Sequence, residues 1–109
     1  MYEYNARYVG NYDGDTIDLE VDLGFSIKHK IRVRLAGVDT PELRGGTEES
    51  KELAIEARDF VEEALSSDWV VVRTHKDKKG KYGRYIADIE FDGMDLAEQL
   101  LSLGLAEKY

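Results

Sequence analysis

Apolar and polar residues alternate along 16–23, TIDLEVDL, with Ile17, Leu19, Val21 and Leu23 on one face and mostly acids on the other. A period of two over eight residues predicts a half-buried strand. The segment 6–12, ARYVGNY, reads as a strand too, and Asp13-Gly14 between the two is a strong hairpin signal. Along 27–38, IKHKIRVRLAGV, the alternation turns Ile31, Val33 and Leu35 inward and Arg32 and Arg34 outward. Two more strands follow at 69–75, WVVVRTH, and 84–91, RYIADIEF.

The period changes at 47–67. There Leu53, Ala57, Phe60, Val61 and Ala64 fall on one helical stripe, with Thr47 as cap and Glu48 and Glu49 in the first turn. A second helix is predicted over 95–103, stopped by Gly104. Three strands, a helix, two strands and a helix give a mainly β, α+β chain. That layout resembles an OB-fold, a five-stranded barrel with two packed helices. A length of 109 residues suits one domain, 1–109, with one core.

Composition changes the picture in two ways. No cysteine is present, so neither a disulfide framework nor a cysteine metal site is available. The N-terminus, MYEYNARYVG, has no apolar run and predicts no signal peptide; the compartment stays open. No window reaches the length of a membrane span, and a monomer is expected. The net charge of -8 argues against a polyanion partner when spread evenly, but it is not spread evenly. The segment 73–84, RTHKDKKGKYGR, carries six Lys or Arg and one acid, and 28–34, KHKIRVR, adds four bases and no acid. Two readings follow: solvated edges guarded by lysine, or two segments lining one anion site on an acidic body.

The segment 38–46, VDTPELRGG, opens like a helix and stops: Thr40 suits a cap, Pro41 the first turn and Glu42 the dipole, but Gly45-Gly46 ends the pattern. Its carboxylates are therefore open to other work. Asp13 and Asp15 beside the hairpin turn lack the spacing of an EF-hand. Asp15 at one strand start and Asp39 at another strand end are nevertheless oxygen donors that a barrel can bring side by side. Arg34 precedes Asp39 by five residues and Arg84 opens the last strand. Guanidinium groups match phosphate geometry. A metal site, two arginines and a spare carboxylate are the parts that phosphodiester hydrolysis needs.

DGDT at 13–16, RLAGVDTPE at 34–42 and KYGR at 81–84, in that order, together with AEQLLSLGLA at 97–106, resemble the staphylococcal-type nucleases (thermonucleases) across nearly the whole chain. The resemblance implies an OB-fold and a Ca2+-dependent hydrolase, a nuclease leaving 3′-phosphate ends on DNA and RNA. It assigns Ca2+ to the carboxylates of Asp15 and Asp39 and the backbone carbonyl of Thr40. It makes Glu42 the general base or water-positioning group, and sets Arg34 and Arg84 on the scissile phosphate. Lys81 and Tyr82 match contacts to a neighbouring phosphate and nucleoside, and Asp13 an outer-shell position. Members of the family are often secreted.

This chain departs from the family's best-known members in being acidic, so single-stranded or short nucleic acid is the expected substrate. The alternative is a catalytically weak or inactive OB-fold module that binds nucleic acid or protein. Such copies typically lose the metal carboxylates or the arginines, whereas Asp15, Arg34, Asp39, Glu42 and Arg84 are all retained here. A calcium-binding domain without chemistry would leave Arg34, Arg84 and Glu42 without a purpose.

Overall fold

The computed structural model describes residues 2–41, 47–66, 69–79 and 85–108. Its strands are β1 (Tyr2–Asn11), β2 (Thr16–Asp22), β3 (Lys28–Leu35), β4 (Val38–Asp39), β5 (Trp69–Lys79), β6 (Tyr85–Phe91), β7 (Met94–Asp95) and β8 (Glu107–Lys108). The helices are α1 (Glu48–Leu65) and α2 (Leu96–Ser102). The five long strands run β3-β2-β1-β5-β6, and a parallel pairing of β6 with β3 closes the ring. Closure of five strands with α1 inserted between the third and fourth is the OB-fold arrangement, and it leaves no long edge to protect. The two-residue strands β4, β7 and β8 are too short to leave a period in the sequence.

Alternation places the core. Ile17, Leu19 and Val21 of β2, Val33 and Leu35 of β3, Val70 and Val72 of β5 and Ala87 and Ile89 of β6 are all buried in one cluster. The inward row continues past this cluster at one end of the barrel. Leu23, expected on the buried face, lies just beyond β2 and is 45% exposed, because no described helix covers that end. The hairpin there turns through Phe25 and Ser26, both with positive φ (54° and 63°).

At the opposite end α1 covers the barrel. Thr47 caps it, its side chain accepting from the Ser50 amide while the Ser50 hydroxyl accepts from the Thr47 amide. The face turned to the barrel carries Ala54, Ala57, Val61 and Leu65. The expected stripe therefore needs correcting: Leu53 is 40% exposed, and Phe60 and Ala64 only flank the core. The turn between β1 and β2 approaches α1 so closely that a Cβ on Gly14 would stand 2.8 Å from both the Ala57 Cβ and the Thr40 Cγ2. At Ala57 only a small residue fits against Gly14, while Val61 and Leu65 fill the space further along the helix. Asn11 fixes the same junction, its side chain donating to the Asp13 carbonyl and to the Arg58 carbonyl of α1. α2 is capped by Asp95, and Gly104 beyond it has φ +73°, the left-handed residue expected after a helix end.

The chain then pairs β8 with β4, placing Glu107 directly across from Asp39. Like charges opposite each other in an antiparallel pair oppose the pairing. Two outcomes are expected. Gly14→Ala should destabilise by about 1–3 kcal/mol, the cost of overpacking against rigid neighbours, and urea unfolding measures it. Glu107→Gln should raise the melting temperature of the calcium-free chain, by a stabilisation of about 0.2–1 kcal/mol; an unchanged transition would show that the facing carboxylates do not interact.

Candidate active site

Three strand ends meet beside the α1 end of the barrel. β2 begins at Thr16, directly across the ladder from Arg34, and the Leu35 amide donates to the Asp15 carbonyl at 2.9 Å. Two residues later Gly37, with φ +77°, lets the chain turn back into β4. Arg34 fills the space inside that turn: Nη1 donates to the carbonyl oxygens of Leu35 and Val38, both at 2.7 Å. The same guanidinium lies 3.5 Å from Asp15 Oδ2 and 3.3 Å from Asp39 Oδ1. Its side chain is 17% exposed, so its outward register still leaves it mostly covered.

Asp15 is the buried member. Its Oδ2 accepts the Thr40 amide at 3.1 Å, and its Oδ1 accepts the Thr16 hydroxyl at 3.3 Å. Burial alone pushes its pKa up, yet the bonds from Asp13 and the Thr40 amide, with the Arg34 charge, hold it below the usual carboxylate range. Asp13 moves the other way: burial and the neighbouring Asp15 carboxylate push it up to about 6. Asp13 Oδ1 accepts the amides of Asp15 and Thr16, at 3.1 and 2.9 Å, which fixes the turn that presents Asp15. That arrangement suits the outer position expected for Asp13, one bond removed from Asp15.

The expected ligands Asp15, Asp39 and Thr40 are thus brought together with Arg34. Glu42, Lys81, Tyr82 and Arg84 lie outside the described residues. Residues that the pattern did not mark also build the site. Gly14 reads as a turn former, yet its role here is a close approach to Thr40 and α1. Glu107 faces Asp39 through a pairing with no sequence signal.

Do these groups suit a hard divalent cation? The donors are all oxygen, and the two carboxylates converge on one guanidinium. Thr40 Oγ1 is buried with no hydrogen-bond partner among the described residues, leaving one more oxygen beside them. The donor chemistry fits Ca2+, which takes six to eight oxygens. Among the described residues no cluster of three or more Asp, Glu, His or Cys side chains is present. Backbone carbonyls and water must complete such a shell.

Of the two basic segments expected to line one anion site, 28–34 is described, whereas in 73–84 the side chains of 76–79 and all of 80–84 lie outside the described residues. Arg32 bonds Asp18 through two nitrogens, at 2.8 and 3.2 Å, and Lys30 and Lys28 stand directly across from Glu20 and Asp22. In the other segment Arg73 bonds Glu3 and Glu90, and His75 lies 3.6 Å from Asp88. Among the described Lys and Arg of these segments, those other than Arg34 bond or directly face an acid.

Comparison with known proteins shows the family. Residues 32–109 match the family described as staphylococcal nuclease homologues. The chain is 32% identical, over 95% of its length, to the thermonuclease of Staphylococcus hyicus. It is 30% identical, over 97% of its length, to the uncharacterized protein MJ1439 of Methanocaldococcus jannaschii. It spans 59% of the length of each of these relatives. No described helix is long and apolar enough to cross a membrane. With an OB-fold barrel, carboxylates and arginine gathered at one rim, and a family match over most of its length, the chain belongs to the staphylococcal nuclease family.

Proposed function

We propose that this chain, acting as one domain over 1–109, is a calcium-dependent nuclease that hydrolyses phosphodiester bonds of single-stranded or short DNA and RNA, leaving 3′-phosphate ends. One observation carries the reading: a single guanidinium, Arg34, is held between two carboxylates, Asp15 and Asp39, at 3.5 and 3.3 Å. The trio has a net charge of minus one and by itself repels a phosphate. Asp15, Asp39 and the Thr40 carbonyl would hold Ca2+, which supplies the missing positive charge and Lewis acidity.

Arg34 then has a donor fork set at the rim, already oriented by the Leu35 and Val38 carbonyls, so little side-chain freedom is lost when phosphate arrives. Arg84 grips the same phosphate in this reading, and Lys81 and Tyr82 hold the neighbouring phosphate and nucleoside. Glu42 orients a water and takes its proton as the water oxygen bonds phosphorus. The bond from phosphorus to the 5′ oxygen breaks, that oxygen picks up a proton from solvent, and the phosphate stays on the 3′ side. Asp13 positions Asp15 through the turn amides.

Two variants test the roles separately. Glu42→Gln should keep oligonucleotide binding while losing about 10²–10⁴-fold in turnover, the usual worth of general-base help; near-normal turnover removes Glu42 from that role. Asp15→Ala should weaken Ca2+ binding in calorimetry, and an unchanged isotherm excludes Asp15 as a ligand.

A further inference from the structure

The short strand β8 joins the rim of the candidate active site in an unfavourable register. It pairs with β4 so that Glu107 stands directly across from Asp39 and Lys108 across from Val38. Directly opposed residues of an antiparallel pair share one face, with Cβ atoms about 4.5–5.5 Å apart, and like charges there are destabilising. A lysine lies one position along the strand, yet it is the carboxylate that meets the carboxylate. Such local conflicts concentrate at functional sites, where another group offsets them. Among the described residues Glu107 has no hydrogen bond or ion pair, and Asp39 is met by Arg34 alone, at Oδ1.

Three observations identify the missing group. A cavity of about 200 Å³, with room for several waters, is lined by Asp39, Thr40, Leu53, Leu105 and Glu107. Thr40, in its wall, is 4% exposed, and its Oγ1 has no hydrogen-bond partner among the described residues. An oxygen donor without a bond thus belongs to the same small space as the two carboxylates. The third observation is charge. Asp15, Asp39 and Arg34 sum to minus one, and Glu107 brings the group to minus two, which one divalent cation neutralises.

We propose that Glu107 belongs to the divalent-cation site at Asp39: its carboxylate acts on the ion from across the ladder, and the ion in turn secures β8. The inference rests on the calcium reading of Asp15 and Asp39. It adds a further carboxylate, from a strand that no motif marks. Among the described residues no three acids form one compact cluster, so Glu107 acts as an outer charge, through water in the cavity. The coupling is reciprocal: whatever factor docked β8 adds to ion affinity, the bound ion adds to the docking of β8.

The test is calorimetric titration of Ca2+, at low salt, into the full chain and into Glu107→Asp, Glu107→Gln and Glu107→Lys, with amide hydrogen exchange followed in the same samples. A unit charge roughly 6–10 Å from a divalent ion in water alters its affinity by about 3- to 10-fold. Glu107→Gln should weaken Ca2+ binding by that factor and Glu107→Lys by about 10- to 100-fold, while Glu107→Asp keeps the affinity. Without calcium the order reverses, and the Gln and Lys variants should melt above the unsubstituted chain. Structural damage would lower both quantities together. Calcium should also slow exchange of the β8 amides in the unsubstituted chain, and less so in Glu107→Gln. Equal affinity across the series, or weaker binding accompanied by a lower calcium-free melting temperature, overturns the role of Glu107 and leaves the calcium reading standing. No Ca2+ binding by the unsubstituted chain overturns both. Glu107-dependent Ca2+ binding without cleavage of single-stranded DNA upholds Glu107 and rejects the nuclease.

Discussion

The Arg34 guanidinium is the point at which fold and chemistry meet. It bonds two carbonyls of its own turn and faces carboxylates from two other segments, so the β2 start, the β3 end and β4 share one charged centre. Charge-assisted bonds of this kind contribute about 1.5–3 kcal/mol each where water is largely excluded. The cost of the arrangement is specific. Asp15 is buried and retains its charge only while Arg34, the Thr40 amide and the Asp13 turn support it. The Gly14 approach brings that turn against α1, and the packing of the helix face around Ala57 follows from it. Removing the guanidinium would leave a buried carboxylate uncompensated, which is far more costly than losing a surface ion pair.

The same centre explains how an acidic protein can belong to a family whose substrate is a polyanion. The described bases of β3 and β5 are largely matched by acids across the ladder, so they provide register and solubility more than attraction. Two carboxylates around a single arginine leave the rim with a net negative charge, which favours cations over phosphate. Glu107, facing Asp39 from β8, deepens that negative potential. Long-range steering toward nucleic acid is weak in such a protein, and what attraction there is falls with salt.

How much of this was legible beforehand depends on the range of each interaction. The strands, the Thr47 cap and the Gly104 stop are local, and the sequence carries them directly. The meeting of Asp15, Arg34 and Asp39 was legible as motif order, since strand ends on a small barrel have few places to go. The charge matching of Arg73 with Glu3 and Glu90 was not, because it depends on register between segments up to 70 residues apart. The face of α1 was legible in part: Ala57 and Val61 of the expected stripe are buried and Phe60 and Ala64 pack against the core, whereas Leu53 is exposed and Ala54 and Leu65 take inward positions. Leu23 continues the inward alternation of β2, yet that face runs out at a barrel end that no described helix covers.

In the proposed function the carboxylate–arginine rim becomes competent for phosphodiester hydrolysis when a calcium ion reverses its charge. Cleavage of single-stranded DNA by the purified chain at low salt, with calcium and with chelator, followed by identification of the product ends, tests this. Fragments ending in 3′-phosphate should appear only with calcium. Equal cleavage in chelator, or none from a folded chain that binds both calcium and oligonucleotide, would contradict it.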